Sequence, residues 1–239
     1  MGKEGMMQNN WERNPSDVVG LKYIPTIKPE YLDDEQRMFV RVKDGFGLPM
    51  CIHNNLPGNT PLAHSGPSIR QSHVDMLSNA ISSDTKTILE IGINVYKKPL
   101  LSTTRAILEN KEDDCVYLGI DVNDKSSIND VSKNIHTMKI DSSLRKIIRE
   151  KMLELGMKTI DLLMIDGDHS ITLMVNDWCF TEFLSPRANV IIHDTNVHIG
   201  PRSVFDAIDE TLFDKQLIGS EIKSGKFLDY GMGIARRLF

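Results

Sequence analysis

The chain has 239 residues, 40% hydrophobic and 26% charged, with a formal net charge of -5, which suits a globular protein with one sizeable core. The acidic balance and the lack of any long block of one sign argue against a nucleic-acid backbone as the main partner. No stretch approaches the ~18 consecutive apolar residues of a membrane span, and no apolar signal core follows Met1–Met6. The expectation is therefore a cytoplasmic protein with no membrane partner. Cys51, Cys115 and Cys179 stand far apart, an odd set that reads as reduced thiols and not as a disulfide framework.

Residues 1–66 are rich in Asn, Pro and Gly and carry few periodic apolar runs. Tyr31 to Val42 suits a short helix, and Asn54 to Pro61 is loop. The apolar anchors Tyr23, Tyr31, Phe39, Phe46 and Met50 favour an ordered arm or lid, which selects substrate and makes a homo-oligomer plausible. From residue 67 to 239 the pattern changes. Ser65-Gly66-Pro67 opens a helix with Ile69, His73, Met76, Leu77 and Ile81 near one face. Thr87 to Gly92 is a strand running into a turn, followed by a helix over roughly 100–109 and a strand over Val116–Asp121. A polar helix through Ile128 and Val131 precedes a strand at Ile135–Ile140. An amphipathic helix follows through Leu144, Ile147, Ile148 and Met152.

Asp161-Leu162-Leu163-Met164-Ile165-Asp166 comes next, an apolar run without polar alternation, as expected of a strand buried on both faces. It ends in Asp166-Gly167-Asp168-His169-Ser170. A helix through Leu173, Trp178 and Phe183 leads to a similar run, Val190-Ile191-Ile192, that ends in His193-Asp194-Thr195. Met174, Trp178 and Phe183 read as helix core. A helix from Pro201 to Leu212 and two weaker strands near 217–222 and 231–236 complete the chain. Repeated strand-helix units of this length imply an α/β fold, Rossmann-like and doubly wound, with a mostly parallel seven-stranded sheet behind an N-terminal arm or lid.

Glu90, Asp121, Asp141, Asp166 and Asp194 stand at or near five successive strand tips. In a parallel sheet these tips share one edge, where open α/β folds bind ligands. Helix N-caps would account for one or two of the acids, not for five. Glu90-Ile91-Gly92 lacks the G-x-G-x-x-G that brings a backbone close to a pyrophosphate, which disfavours a dinucleotide. Asp121 stands where a carboxylate would accept from a ribose hydroxyl pair. Carboxylates select hard cations such as Mg²⁺ or Ca²⁺, and an added imidazole moves the preference toward Mn²⁺, Fe²⁺ or Zn²⁺. His193 and Asp194 can share an ion only if the strand has ended there, because adjacent strand residues face opposite ways. Otherwise His193 is a packed or hydrogen-bonded imidazole. Asp168 is open to three readings: a further ligand, an acceptor bonded to a ligand, or the cap of the next helix. His169, with an ordinary pKa of about 6.5, suits proton transfer near neutrality, or else hydrogen-bonds a neighbouring acid. His198 and His136 are weaker candidates, His198 on a loop over the site.

Together, Ile88-Leu89-Glu90-Ile91-Gly92, Gly119-Ile120-Asp121, Ile140-Asp141-Ser142, Asp166-Gly167-Asp168-His169-Ser170 and His193-Asp194-Thr195 resemble the ordered motifs of class I S-adenosylmethionine-dependent methyltransferases. Within that fold the chain is similar to caffeoyl-CoA-type and catechol-type O-methyltransferases and to cephalosporin-hydroxylase-like proteins, and Tyr230 to Ile234 looks like the family's final hairpin. The resemblance covers residues from about 67 to 239. It implies that Glu90 and Gly92 shape the loop under the methionine part of S-adenosylmethionine, that Asp121 holds the ribose, and that Asp141 and Ser142 flank the adenine. It also implies that Asp166, which borders the cofactor as well, and Asp194 bind a divalent metal, Mg²⁺ first, with His193 as a further candidate ligand. His169 stands where the family carries a lysine general base. The first loop departs from the family in lacking a second glycine, and Thr195 stands where Asn or Asp is frequent. The expected reaction is methyl transfer to a hydroxyl of a small molecule. A metal-independent methyltransferase, a glycosyltransferase using Asp166-Gly167-Asp168 as D-x-D, and a non-catalytic cofactor-binding protein stay open beside it.

Overall fold

The computed structural model describes residues 20–22, 25, 71–94, 102–196, 198–218, 222–223, 226–227 and 230–239. The elements that shape the site are α1 (Gln71–Ala80), β1 (Thr87–Ile91), α2 (Thr103–Asn110), β2 (Val116–Asp121), β3 (Ile135–Lys139), α3 (Arg145–Glu154), β4 (Ile160–Ile165), α4 (Ile171–Trp178), β5 (Leu184–His193), α5 (Ile199–Ala207) and β6 (Phe213–Leu217). Two short strands, β7 (Ile222–Lys223) and β8 (Lys226–Phe227), precede the last strand, β9 (Met232–Arg237).

Seven strands form one sheet in the order β3-β2-β1-β4-β5-β9-β6, and β7 pairs with β8 in a separate two-stranded ribbon. The pairs β2/β3, β1/β2, β1/β4 and β4/β5 are parallel, whereas β9 runs antiparallel to both β5 and β6. This is the expected Rossmann-like α/β sheet, seven-stranded and mostly parallel. The chain winds outward from β1 to β3, then returns to place β4 on the other side of β1. The crevice above β1 and β4 is thus the switch point where open sheets take their ligands.

Alternation along the strands sorts the core into two layers. Ile88, Tyr117, Leu162, Met164 and Ile191 face α1 and α2, meeting Met76, Leu77 and Ile107. Leu89, Leu118, Leu163, Ile165, Val190 and Ile192 face the other helices, meeting Ile148, Met152, Met174, Trp178 and Phe205. Leu162 to Ile165 are fully buried, as an apolar run between two helical layers requires. Met174 and Trp178 are core residues as expected, and Phe183 packs against the same layer half-buried.

Five expectations about elements change. The helix expected from Pro201 to Leu212 is Ile199–Ala207, because Ile208 leaves it to bridge Leu21. The region of Ile128 and Val131 holds two 3₁₀ turns, Ser126–Ile128 and Val131–Lys133, with no buried residue, so no apolar face exists to support a longer helix. The helix expected over 100–109 is Thr103–Asn110, started by Ser102, whose hydroxyl accepts from Arg105 N. α4 ends at Trp178, and Cys179–Phe183 continues as 3₁₀. The strand expected near 217–222 lies at Phe213–Leu217, where Asp214, Lys215 and Gln216 conceal its period.

The helix over Tyr31–Val42 and the loop from Asn54 lie outside the described residues, as do Tyr23, Cys51 and the stretch 67–70. Of the arm, Leu21 is buried and bridges Ile208, while Lys22 pairs with Glu210. This attachment is beyond the C-terminal end of α5, away from the strand tips that carry the acids. Cys115 and Cys179 are free, buried thiols. No helix among the described residues is long and apolar enough to cross a membrane.

Candidate functional site

The first wall of the crevice is the turn after β1. Gly92 has φ +85°, and a Cβ there would stand 2.0 Å from the Asp166 carbonyl oxygen. Glycine is therefore required twice over, by the left-handed backbone and by contact with the tip of β4. Asp166 N donates to Ile91 O at 2.7 Å, joining the two strand tips where the apolar runs end.

Glu90 lies behind this turn, fully buried. It accepts from Thr104 Oγ1 at 2.8 Å and from the Tyr117 hydroxyl, and Thr103 Oγ1 stands 3.4 Å from Glu90 Oε1 and 3.3 Å from Asp166 Oδ2. Burial pushes the Glu90 carboxyl up to about 8, against the pull of those hydroxyls. Tyr117 is driven well above its ordinary value of 10 by burial and by Glu90. Thr104 Oγ1 also accepts from Asn94 N at 2.9 Å, so the buried acid holds the loop through a hydroxyl. Thr103, Thr104 and Tyr117 were not expected as site residues. The one available signal was the Ser102-Thr103-Thr104 cluster at a helix start, just beyond the glycine turn.

Asp121, at the end of β2, accepts from Ile93 N at 3.0 Å and Asn123 N at 2.7 Å, with Lys125 Nζ at 3.6 Å. Each of its oxygens keeps a second lone pair for a ligand.

The opposite wall is charged. Asp166 follows β4 directly, and His193 ends β5. Asp194, with φ +62°, leaves the strand in the left-handed region, which breaks the alternation and turns both His193 and Asp194 toward the crevice. This meets the condition that the sequence set for the two to act together. His193 Nδ1 is 3.0 Å from both Asp166 Oδ1 and Asp194 Oδ1. His169 Nε2 is 2.8 Å from Asp194 Oδ2, and His198 Nε2 is 3.9 Å from the same oxygen. Burial alone would lower the His193 pKa, yet Asp166 and Asp194 raise it well above 6.5. Burial likewise opposes the charge on Asp194, and the cationic His193 with the His169 contact holds its carboxyl far below the usual range. For His169, burial is outweighed by Asp194 and Asp166, and its pKa rises.

Two triads have ligand atoms within 4.8 Å of one another: Asp166, His193 and Asp194, and His169, Asp194 and His198. Within them the buried Asp194 Oδ1 and His169 Nε2 lack an aligned hydrogen bond despite their short contacts. In the first triad His193 Nδ1 meets Asp166 Oδ1, and the Asp194 Oδ1 left without an aligned partner beside them is suited to a cation. The residues thus fit a divalent ion at the first triad, which supplies two carboxylates and one imidazole.

Gly92, Asp121, Asp166, His169, His193 and Asp194 line one cavity of about 330 Å³, together with Lys125 and Tyr230. Of the residues expected at the site, Glu90 supports this cavity from behind. Asp141 and Ser142 are outside its lining: Asp141 accepts from Ser143 N, and Ser142 bonds the buried Asp177, whose carboxyl burial lifts to about 7. Asp168 accepts from Ser170 N at 2.7 Å, and the cap of α4 is Ser170, whose hydroxyl accepts from Leu173 N. His198 stands at the site. His136 is on β3, beyond β2 from the switch point, and is not in the lining. A larger cavity of about 410 Å³ opens around Asp161, Arg187 and Arg236 at the other end of the strands, but no histidine lines it.

No family model and no curated protein matches the chain. Among solved structures it is similar to an rRNA methylase from Streptococcus thermophilus, at 13% identity and a TM-score of 0.50, over 74% of this chain and all of that one. It is also similar to the N-methyltransferase NodS from Bradyrhizobium japonicum in complex with S-adenosyl-L-homocysteine, at 14% identity and 0.47, over 73% of this chain and 88% of that one. A third likeness is to the MycE methyltransferase of the mycinamycin pathway in complex with Mg, SAH and mycinamycin VI, at 12% identity and 0.46. The match covers 70% of this chain and 48% of MycE, so the chain spans about half the length of that protein. The likeness is one of fold.

Proposed function

We propose that this chain is an S-adenosylmethionine-dependent O-methyltransferase that acts on a hydroxyl of a small molecule with the help of a divalent cation. The observation that carries the reading is the meeting of Asp166, His193, Asp194 and His169 in one cavity at the sheet's switch point, beside the Gly92 turn and Asp121. The fold supports it, since the Streptococcus thermophilus protein that shares it is an rRNA methylase. Asp121, Asp166 and Asp194 make the cavity a poor groove for a phosphate backbone, which favours a small acceptor over RNA.

Asp121 would hold the ribose through its spare lone pairs, and the Gly92 turn would receive the methionine portion. Asp166, Asp194 and His193 would hold the ion. When bound, S-adenosylmethionine supplies an electrophilic methyl group, and a divalent cation lowers the pKa of a hydroxyl beside it. His169 takes the proton that the acceptor hydroxyl loses on Nδ1, because its Nε2 is buried against Asp194 Oδ2, which stabilises the imidazolium that results. Orienting the acceptor beside the Gly92 turn supplies a large share of the rate.

Calorimetry with S-adenosylhomocysteine and a methyl-transfer assay on a panel of catechols and sugars test the reading. Micromolar binding of S-adenosylhomocysteine that survives a chelator, with turnover that does not, is expected. Full turnover in excess chelator would remove the metal, and failure to bind S-adenosylhomocysteine would remove the methyltransferase.

A further inference from the structure

We infer that the first turn of α5 is a mould for the His169 ring, with His198 as a positioning residue for the proton transfer proposed above, on which this inference rests. His169 belongs to the connection between β4 and α4, outside any helix or strand. Its backbone is fixed nearby by the Asp168–Ser170 bond and by the Ser170 cap, but neither contact constrains the ring.

The ring is constrained from α5. His198 stacks on it with centroids 4.1 Å apart and planes 4° from parallel. The edges of both rings point at one oxygen, Asp194 Oδ2, at 2.8 Å from His169 Nε2 and 3.9 Å from His198 Nε2. His198 is itself held, since its N–H donates to Asp194 O at 3.1 Å and closes the turn that follows β5. Gly200 completes the mould, because a Cβ there would stand 2.1 Å from the His169 carbonyl oxygen and 2.9 Å from its carbon. The helix start therefore presses on the His169 backbone while His198 covers one ring face. A base on a connecting loop needs such support, because a small misplacement of a reacting group lowers the rate steeply.

What the mould uses is a flat ring at 198 and no side chain at 200. The test measures carbethoxylation of His169 by diethyl pyrocarbonate, mapped by mass spectrometry at fixed pH, in the full chain and in His198→Ala, His198→Phe and Gly200→Ala. Folding is checked by circular dichroism, and binding is followed with S-adenosylhomocysteine and with Mn²⁺. His198→Ala is expected to speed His169 modification about three- to tenfold, the change in ring population that loss of one stack produces. The same variant should lose the ring-current shift of the His169 proton resonances. His198→Phe should restore both to near the parent values. Gly200→Ala should loosen His169 as well, with the 198 ring intact. Unchanged His169 reactivity in folded His198→Ala and Gly200→Ala overturns the inference, as does loss of one bound Mn²⁺ per chain in His198→Ala, which would make His198 a ligand. If the parent chain does not bind S-adenosylhomocysteine, the proposed function fails, while the reactivity series still decides the mould.

Discussion

The tips of β1 and of β4 and β5 look alike as sequence, each an apolar run that ends in an acid, yet they hold their acids in opposite states. Glu90 is sealed among Tyr117, Thr103 and Thr104, and burial favours its neutral form. Asp194 is buried almost as deeply, but His193 and His169 hold it ionised. Depth alone does not fix the charge of a carboxyl. The neighbours do, with hydroxyls making one tip a structural clasp and imidazoles making the other a charged cluster.

Substitutions can break this contrast. The largest effect is expected at His169. His169→Ala should lower turnover by about 10²–10⁴-fold at neutral pH, the range for loss of a general base, with S-adenosylhomocysteine affinity changed little. A parent-like rate would show that the charged tip does not take the proton.

At the neutral tip the effect is on stability. Glu90 has an ordinary pKa of 4.5 and is lifted to about 8 in the folded chain. The folded state therefore keeps a proton that the unfolded chain releases, and stability falls as pH rises from 4.5 to about 8. Glu90→Gln, which keeps the shape and cannot ionise, should flatten that slope and leave the variant more stable than the parent at pH 8 by a few kcal/mol at most. Urea unfolding at pH 5, 6.5 and 8 measures it, and an unchanged slope would mean that Glu90 is not the group responsible. The smallest effect is expected of Thr104→Val, which removes the hydroxyl between Glu90 and Asn94. It should lower stability by about 1 kcal/mol and weaken S-adenosylhomocysteine binding by loosening the first loop, whereas His169→Ala leaves that loop intact. Equal binding by the two variants would erase the distinction between clasp and cluster.

The sheet was largely legible in the sequence because Leu162–Ile165 and Val190–Ile192 are continuous apolar runs, and such runs fit only the middle of a two-sided core. β6 was not, since an outer strand with one wet face carries Asp214, Lys215 and Gln216 and loses its signal. The acids at the strand tips were legible one by one. Their partners were less so: Tyr117 reaches Glu90 from the neighbouring strand and Thr104 reaches it from a helix, contacts that local patterning does not encode. The left-handed turn at Asp194 was also hidden, because nothing in His193-Asp194-Thr195 announces a positive φ in a residue other than glycine.

Under the proposed function, the mixed donor set of Asp166, His193 and Asp194 has a practical consequence for handling the protein. Two oxygens and a nitrogen bind late first-row ions more strongly than magnesium, and affinity climbs from manganese through nickel. A chain purified on nickel resin would therefore bring nickel into the assay, and its apparent inactivity or altered acceptor range would reflect the column. Metal content measured by mass spectrometry before and after exchange into manganese would separate the chain's own preference from its purification history.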